Sequence, residues 1–422
     1  MTYRLVISVW GDPQKWKKVP YKINDHTYGD RNNSTQVIGD HFGASLLVFI
    51  PVSLTDACGT GLGSDRQAEK SVEYIKQFYP NDKLEIIAAP SVGTFRIGSN
   101  IVNFNGNLDL FKVYSFYKLL GTFEGIKEDL ELYADLTYGI NYMSMANYEA
   151  IKLAVSLYCT LYDKKAKITA MNSDPFTASI GADPIRINTI EKLSFDREIG
   201  INYITGELRS KFDKNRFEWS RITGKRDAPW VDTNEIKSLF IAMNSFGAFL
   251  PCLVRNDQMR LYMNGVESIM KDFESSVLKD LYYSQNVYGY KFSLDESIIL
   301  IFSALKVLTM DLFTNTGVLA PLNKLQDLSK TTLSLNIARY LLNEEIKKIQ
   351  EWGALADEGK LVLYRTLKGD GDLKKPCGSN SRILIAHCAL EVNTTHLTKQ
   401  RGEILLGYGE CLEELIKILK RI

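Results

Sequence analysis

Four short apolar runs punctuate the first part of the chain: Leu5–Val9, Ser45–Val52, Leu84–Ala89, and a segment that ends in Asp135-Leu-Thr-Tyr-Gly-Ile-Asn141. They are nearly continuous rather than alternating, as in strands of a parallel sheet buried on both faces. Between them apolar residues recur at helical spacing, at Ala68, Val72, Ile75 and Tyr79, around Leu108 to Leu120, and at Ala146, Ala150, Leu153 and Leu157. Strands that alternate with helices predict a parallel sheet joined by right-handed crossovers. In such sheets ligands bind beyond the carboxyl ends of the strands. Here those ends carry Trp10-Gly11-Asp12-Pro13, then Thr55 and Asp56 with Gly59, Gly61 and Gly63, then Pro90-Ser91-Val92-Gly93-Thr94, and finally Thr137, Tyr138, Gly139 and Asn141. Small and polar residues of this kind suit a nucleotide or another phosphate-bearing ligand. Trp10 can either stack on a base or cover the sheet edge. The Gly59-Thr-Gly61-Leu-Gly63 spacing is not G-x-G-x-x-G and follows the second strand, so a glycine-rich turn explains it better than a dinucleotide fingerprint.

Past Asp196 the period is lost as far as Trp230, where basic and aromatic residues mix with acidic ones, and this reads as a solvated connector. Asp232 and Glu235 then resemble a capping box ahead of Ile236, Leu239, Phe240 and Met243. Helical runs follow around Met259–Leu278, Leu294–Phe313, Leu322–Trp352, Arg382–Leu397 and Glu410–Ile422, with no convincing strand alternation. The expected organisation is an α/β domain over 1–195, a connecting segment over 196–231 and an all-α domain over 232–422.

Composition narrows the possibilities. With 51 Lys+Arg against 50 Asp+Glu there is no basic excess, so any nucleic-acid contact must be local. The six cysteines include no C-x-x-C pair, and their spacing shows neither a zinc site nor a disulfide framework, which favours a reducing interior. The start of the chain lacks the build of a signal peptide, and the apolar run around Ile298–Leu305 is too short to span a bilayer, so the expected location is cytoplasmic. H-E-x-x-H, G-K-[ST] and G-x-S-x-G are all missing, which removes the usual support for metalloprotease, P-loop and serine-hydrolase readings.

One stretch carries chemistry. Arg382-Ile-Leu-Ile-Ala-His387 follows Gly378, Ser379, Asn380 and Ser381, residue types that break structure and cap helices. At about 100° per residue the two side chains point about 140° apart, yet both can reach a group at the helix end. A phosphate suits such an end. Histidine can move protons near neutrality, and arginine forks onto phosphate. Together they suit metal-free attack of a ribose 2′-OH on the adjacent phosphorus. One histidine is not obviously enough for both proton transfers, so a two-fold dimer with two copies of the pair is natural. Glu391, four residues beyond His387, either accepts a hydrogen bond from the imidazole or stands exposed. Asn380 is a further supporting candidate. The Arg-x4-His spacing alone also arises by chance.

Taken together, the layout resembles the CARF–HEPN ancillary ribonucleases of type III CRISPR systems, in particular their long two-domain members. The likeness rests on Trp10-Gly11-Asp12-Pro13 with Trp16, Val19 and Tyr21, on Asp135 to Asn141, and on Arg382 to His387 with Leu390 and Glu391. It covers essentially the full chain. There are three departures. Ile383 stands where a polar residue usually follows the arginine, Tyr138 where histidine is common, and Ala389 where glycine is expected.

The resemblance implies an α/β plus all-α architecture, with an N-terminal Rossmann-like parallel-sheet CARF domain and a C-terminal helical HEPN domain. It implies a homodimer, or a higher oligomer, activated by a cyclic oligoadenylate, commonly the tetramer, that a type III effector complex makes. The activator would bind around Trp10, Gly11, Asp12, Ser91, Gly93, Thr94, Thr137, Tyr138, Gly139 and Asn141. Arg382 and His387 would cleave single-stranded RNA by transesterification, without a metal, a cofactor or a membrane. The alternative is a sensor whose helical half only dimerises or binds a partner, and Ile383 keeps that alternative open.

Overall fold

The structure, a computed structural model, describes residues 2–80, 84–137, 141–175, 183–211, 217–224, 229–310, 318–330, 336–369 and 377–421, with only the backbone of Asn141 and Asn336. Contacts divide the chain into two units, Met1–Asp196 with Ser268–Ile298, and Arg197–Glu267 with Ile299–Ile422. The division differs from the sequence boundaries in two respects: residues 268–298, expected in the helical domain, pack with the first unit, and the expected connector from Arg197 on belongs to the second unit.

In chain order the first unit comprises β1 (Thr2–Val9), β2 (Val19–Ile23), β3 (His26–Arg31), α1 (Ser34–Phe42), β4 (Ser45–Pro51), α2 (Gln67–Phe78) and β5 (Leu84–Ala89). It continues with β6 (Gly93–Ile97), β7 (Asn100–Asn105), α3 (Leu108–Glu124), β8 (Asp129–Asp135), α4 (Asn141–Tyr162), β9 (Ala166–Ser173) and β10 (Ile185–Phe195), and is completed by the later hairpin β11 (Tyr282–Ser284) and β12 (Val287–Gly289). The main sheet has the order β3-β2-β10-β9-β8-β1-β4-β5. Its stretch from β9 to β5 is parallel throughout. The four apolar runs are β1, β4, β5 and β8. In β1, β4 and β8, Leu5, Val6, Ile7, Leu47, Val48, Phe49, Leu132, Tyr133 and Ala134 are all buried, so successive side chains are covered on both faces, which is why these runs do not alternate; β5, at the sheet edge, buries only Ala88 and Ala89.

From β1 the chain winds through β4 to β5, and from β8 it winds the opposite way to β9. The carboxyl ends of β1 and β8 are therefore the topological switch point, where a doubly wound sheet opens a crevice. β10 escapes the sequence pattern because its middle is exposed and carries polar residues.

The second unit is helical: α5 (Arg197–Ser210), α6 (Trp219–Ile222), α7 (Thr233–Phe246), α8 (Phe249–Val254), the start of α9 (Asn256–Ser276), most of α10 (Ser297–Leu308), α11 (Leu322–Ser329), α12 (Asn336–Gly353), α13 (Tyr364–Leu367), α14 (Ser381–Ala386) and α15 (Leu412–Leu419). The stretch read as a connector thus opens on a regular helix. Asp232 N-caps α7 and accepts the Glu235 backbone N–H at 2.9 Å, as the capping pattern requires, but the Glu235 carboxylate pairs with Arg255 at 2.7 Å instead of reaching back.

Alongside the helices this unit holds a small antiparallel sheet, β13 (Ala320–Pro321), β14 (Val362–Leu363), β15 (His396–Gln400) and β16 (Glu403–Gly407), in the order β13-β16-β15-β14. The helix expected over Arg382–Leu397 stops at Ala386. Cys388 and Ala389 turn into the left-handed region at φ 50° and 60°, the Ala389 N–H bonds back to the Leu384 carbonyl at 2.8 Å, and the chain then enters β15. A disulfide joins Cys377 to Cys411. This corrects the cysteine reading, because a pair 34 residues apart leaves no local spacing signature. Among the described residues no helix is long and apolar enough to cross a membrane.

Candidate functional site

Asn380 N-caps α14, its side chain accepting the Ile383 backbone N–H at 3.0 Å. Only Leu384 of this helix is buried, so Leu384 anchors it while Arg382 and Ile383 face solvent. Among the described residues Arg382 makes no hydrogen bond or ion pair. His387 is not inside a long helix but at the C-cap of this six-residue one, so the two side chains do not share a helix N-terminus as expected. They occupy opposite ends of one turn and a half, and the imidazole is placed by a group from another helix.

That group is Glu345 of α12. Its Oε1 lies 3.2 Å from His387 Nδ1, and its side chain is 8% exposed against 42% for His387. Lys348, one turn on, bonds the same carboxylate at 2.7 Å. The hydrogen bond to Glu345 raises the histidine pKa against the opposing effect of burial. Burial alone would push Glu345 up, but the bonds from His387 and Lys348 outweigh it and hold the carboxyl below its ordinary value. A carboxylate on Nδ1 fixes the tautomer, leaving Nε2 to exchange protons. Glu391, the sequence candidate for this role, is buried and accepts instead from the Asn393 backbone N–H at 2.9 Å and the Asn393 amide at 2.7 Å. It acts on His387 through its charge alone, which also raises the imidazole. Asn393 in turn accepts from Arg365 at 3.2 Å, and its carbonyl holds the Cys377 N–H at 3.1 Å, so the disulfide secures the approach to α14. Glu345 was missed because it lies 42 positions before His387; its one local signal is a glutamate within an apolar helix face.

At the switch point of the first unit the centre is Asp135, at the end of β8 and 1% exposed. Its Oδ2 accepts from Ser34 and Thr35 in the first turn of α1, each at 2.7 Å, and its Oδ1 from the Thr137 backbone N–H at 3.0 Å. Asn33 caps α1 through the Gln36 N–H at 2.9 Å. The polar run Asn32-Asn33-Ser34-Thr35 is the sequence signal for this cluster.

The proposed ligand residues divide here. Trp10 is wholly buried, its indole N–H donating to Thr35 at 2.9 Å and its ring packed on Trp16 and Tyr79, so it covers the sheet and offers no face for stacking on a base. Ser91 is likewise buried, its hydroxyl accepting the Ser53 N–H at 3.1 Å, so it braces the interior. Gly11 and Asp12 are partly exposed; Asp12 caps the following turn through the Gln14 N–H and accepts the Tyr74 hydroxyl at 2.7 Å. Gly93 is partly exposed at φ 118°, where a side chain would be strained, and Thr94 is open to solvent. Thr137 is half-buried and accepts the Ser173 N–H at 3.0 Å. Tyr138, Gly139 and the Asn141 side chain lie outside the described residues. A groove of 670 Å³ flanked by Glu69, Lys76, Tyr114 and Lys118 contains none of these loops.

Two family models match the chain, in this order: CRISPR system endoribonuclease Csx1, CARF domain, over residues 5–175, and CRISPR system endoribonuclease Csx1, HEPN domain, over residues 335–410. A curated protein, the CRISPR system endoribonuclease Csx1 of Methanocaldococcus jannaschii, is 26% identical over 302 residues, which is 66% of this chain and 63% of that protein. The chain therefore spans less than two thirds of that relative's length. A solved structure, Enterococcus italicus Csm6 bound to cyclic hexa-2′-fluoro-hexa-dAMP, aligns over 99% of this chain and 94% of that one at 11% identity, with a TM-score of 0.29, too low to establish a shared arrangement. The CARF match takes in β1 to β9, and the HEPN match takes in α12, α14 and the Arg382–His387 pair.

Proposed function

The chain belongs to the CARF–HEPN ribonucleases of CRISPR systems, since both domain models match it in order and together take in more than half of its length, and from that premise we propose that it is an endoribonuclease switched on by a cyclic oligoadenylate. The observation that carries this reading is the arrangement on α14. An open guanidinium lies at one end, and at the other a half-exposed imidazole whose far nitrogen is pinned by a buried carboxylate.

In the reaction the ribose 2′-OH attacks the neighbouring phosphorus and the 5′ oxygen leaves, forming a 2′,3′-cyclic phosphate. Arg382 offsets charge on the phosphoryl oxygens. His387 exchanges a proton through Nε2, and Glu345 stabilises the imidazolium that forms. Two proton transfers call for two histidines, one from each subunit of a homodimer. Support for such a dimer comes from Ile337, Tyr340 and Leu341, an exposed apolar stripe on α12, together with exposed Ile383 on α14. Because arginine and imidazole supply both the charge and the proton chemistry, the mechanism requires no metal.

Gly11, Asp12 and Thr137 at the switch point, with Gly93 and Thr94 beyond the end of β5, are the solvent-accessible groups that a cyclic oligoadenylate, with the tetramer as first choice, would meet. Two copies on a two-fold axis would present them twice to a symmetric ring. The ligand can act only through its preference for one dimer state. A type III effector complex is the source this reading assigns to it. The second reading, a sensor without catalysis, draws on Ile383, an exposed aliphatic side chain beside the arginine.

Labelled single-stranded RNA incubated in EDTA, with and without cyclic tetra-adenylate, separates these. Ligand-stimulated cleavage that His387→Ala abolishes while ligand binding persists is the expected result. Ligand binding with no cleavage by wild type would select the sensor. Cleavage abolished by EDTA alone would overturn the metal-free mechanism.

A further inference from the structure

Residues 268–298 leave the second unit, pack with the first and return, so that they form a strap whose two ends continue through α9 and α10 into the second unit. The strap is stitched to the first unit by β12, which pairs in parallel with β7 through Val287↔Asn103, Tyr288↔Phe104 and Gly289↔Asn105. Two of its tyrosines then reach the loops at the carboxyl ends of β4 and β5. The Tyr288 ring stacks on Phe104 at 4.8 Å, and its hydroxyl donates to Asp56 at 2.7 Å and accepts the Cys58 N–H at 2.9 Å. The Tyr290 hydroxyl accepts the Ser91 N–H at 2.7 Å and donates to the Ser91 carbonyl at 3.1 Å. Its ring lies over Gly106, where a Cβ would come within 2.9 Å.

The same turn is held from the other side. Tyr142, in the first turn of α4, the helix that follows β8 along the chain, donates its hydroxyl to the carbonyl of Val92. One main-chain turn, Ser91–Val92, is thus gripped by the helix that opens beside the switch point and by the strap. Ser91 is fully buried and Tyr290 nearly so. Water cannot replace their bonds, so a displaced turn must either drag the strap with it or leave buried polar groups unpaired.

We propose that Tyr290, through Ser91–Val92 and Tyr142, is the positioning residue that passes the state of the ligand-sensing edge into the strap and so to the ribonuclease unit. The inference rests on the function proposed above and names its regulation. Cleavage by the ligand-free protein does not depend on this connection; stimulation by the ligand does.

Tyr290→Phe in the full chain keeps the ring against Gly106 and removes both bonds. Binding of cyclic tetra-adenylate by calorimetry is expected to stay within about threefold of wild type, while the ratio of stimulated to unstimulated RNA cleavage falls about tenfold, inside the usual range of two-site coupling. Tyr142→Phe should lower the same ratio, and the double variant should be no worse than the more affected single one, because both break one connection. If Tyr290→Phe fails to fold by circular dichroism, Tyr142→Phe alone decides. A purely structural tyrosine would lower stimulated and unstimulated cleavage alike; an unchanged ratio therefore overturns the inference. So does a loss confined to ligand affinity with full stimulation at saturation. A wild type that neither binds nor responds to cyclic tetra-adenylate overturns the functional reading and this inference together, whereas a responsive wild type with a responsive Tyr290→Phe overturns this inference alone.

Discussion

Replacing Glu345 with glutamine tests the placement of the histidine. The side chain keeps its size and can still accept the Nδ1 proton of His387, but it loses the charge that lies 3.2 Å from the imidazole. A hydrogen bond to a charged group contributes about 1.5–3 kcal/mol and a neutral one about 0.5–1.5, so the difference is roughly 1.5 kcal/mol in a buried setting. His387 is 42% exposed, and solvent screening trims that figure. At about 1.4 kcal/mol per tenfold, the expected loss in kcat is roughly three- to tenfold for Glu345→Gln. Glu345→Ala also releases the tautomer and should lose roughly tenfold more, in keeping with the cost of removing a group that orients a reacting histidine.

The pH dependence separates this from simple damage. Glu345 raises the His387 pKa, so in Glu345→Gln the limb of the pH–rate profile that reports loss of the imidazolium moves to lower pH. Stability follows the same pair with opposite signs. The raised histidine contributes fully below its unfolded pKa, and that contribution is lost as pH rises through the folded value. The depressed Glu345 contributes above its unfolded pKa, and that contribution is lost as pH falls through the folded value. The pair therefore stabilises most between the two, and the variant should flatten that window in a denaturation series. A wild-type pH profile with unchanged kcat in Glu345→Gln would refute the assignment.

Ala389 sits at φ 60°, so Ala389→Gly relieves about 1–2 kcal/mol of left-handed strain, set against about 0.5–1 kcal/mol of extra chain entropy. A net gain of roughly 0.5–1 kcal/mol should appear as a higher urea midpoint, and an unchanged or lower midpoint would contradict the turn geometry. The Cys377–Cys411 bridge closes a span of 34 residues, for which chain entropy gives about 4 kcal/mol, so Cys411→Ser should lower the midpoint of the oxidised protein and leave that of fully reduced protein little changed. Tyr340→Asp places a charge in the exposed stripe on α12 and should shift the protein from dimer towards monomer in light scattering, with ligand-stimulated cleavage falling in parallel. A dimer of undiminished stability would remove that face from the interface.

The sequence by itself determined the features that short stretches of chain encode. The core strands β1, β4 and β8 were legible because burial on both faces leaves nearly continuous apolar runs, the edge strand β5 because its one covered face still carries an apolar run, and the start of α14 through Asn380 because capping involves only neighbours. Arg382 and His387 stood out as candidates the same way, as a local pair. Tertiary structure alone decided what depends on partners distant along the chain. It brought Glu345 under His387 where Glu391 had been a candidate, joined Cys377 to Cys411, buried Trp10 and Ser91, and carried the 268–298 strap to β7. Strands as short as β13 or β14 contain too few residues for a period to show. Their pairing comes from hydrogen bonds to distant segments, and no residue type or spacing near them records it.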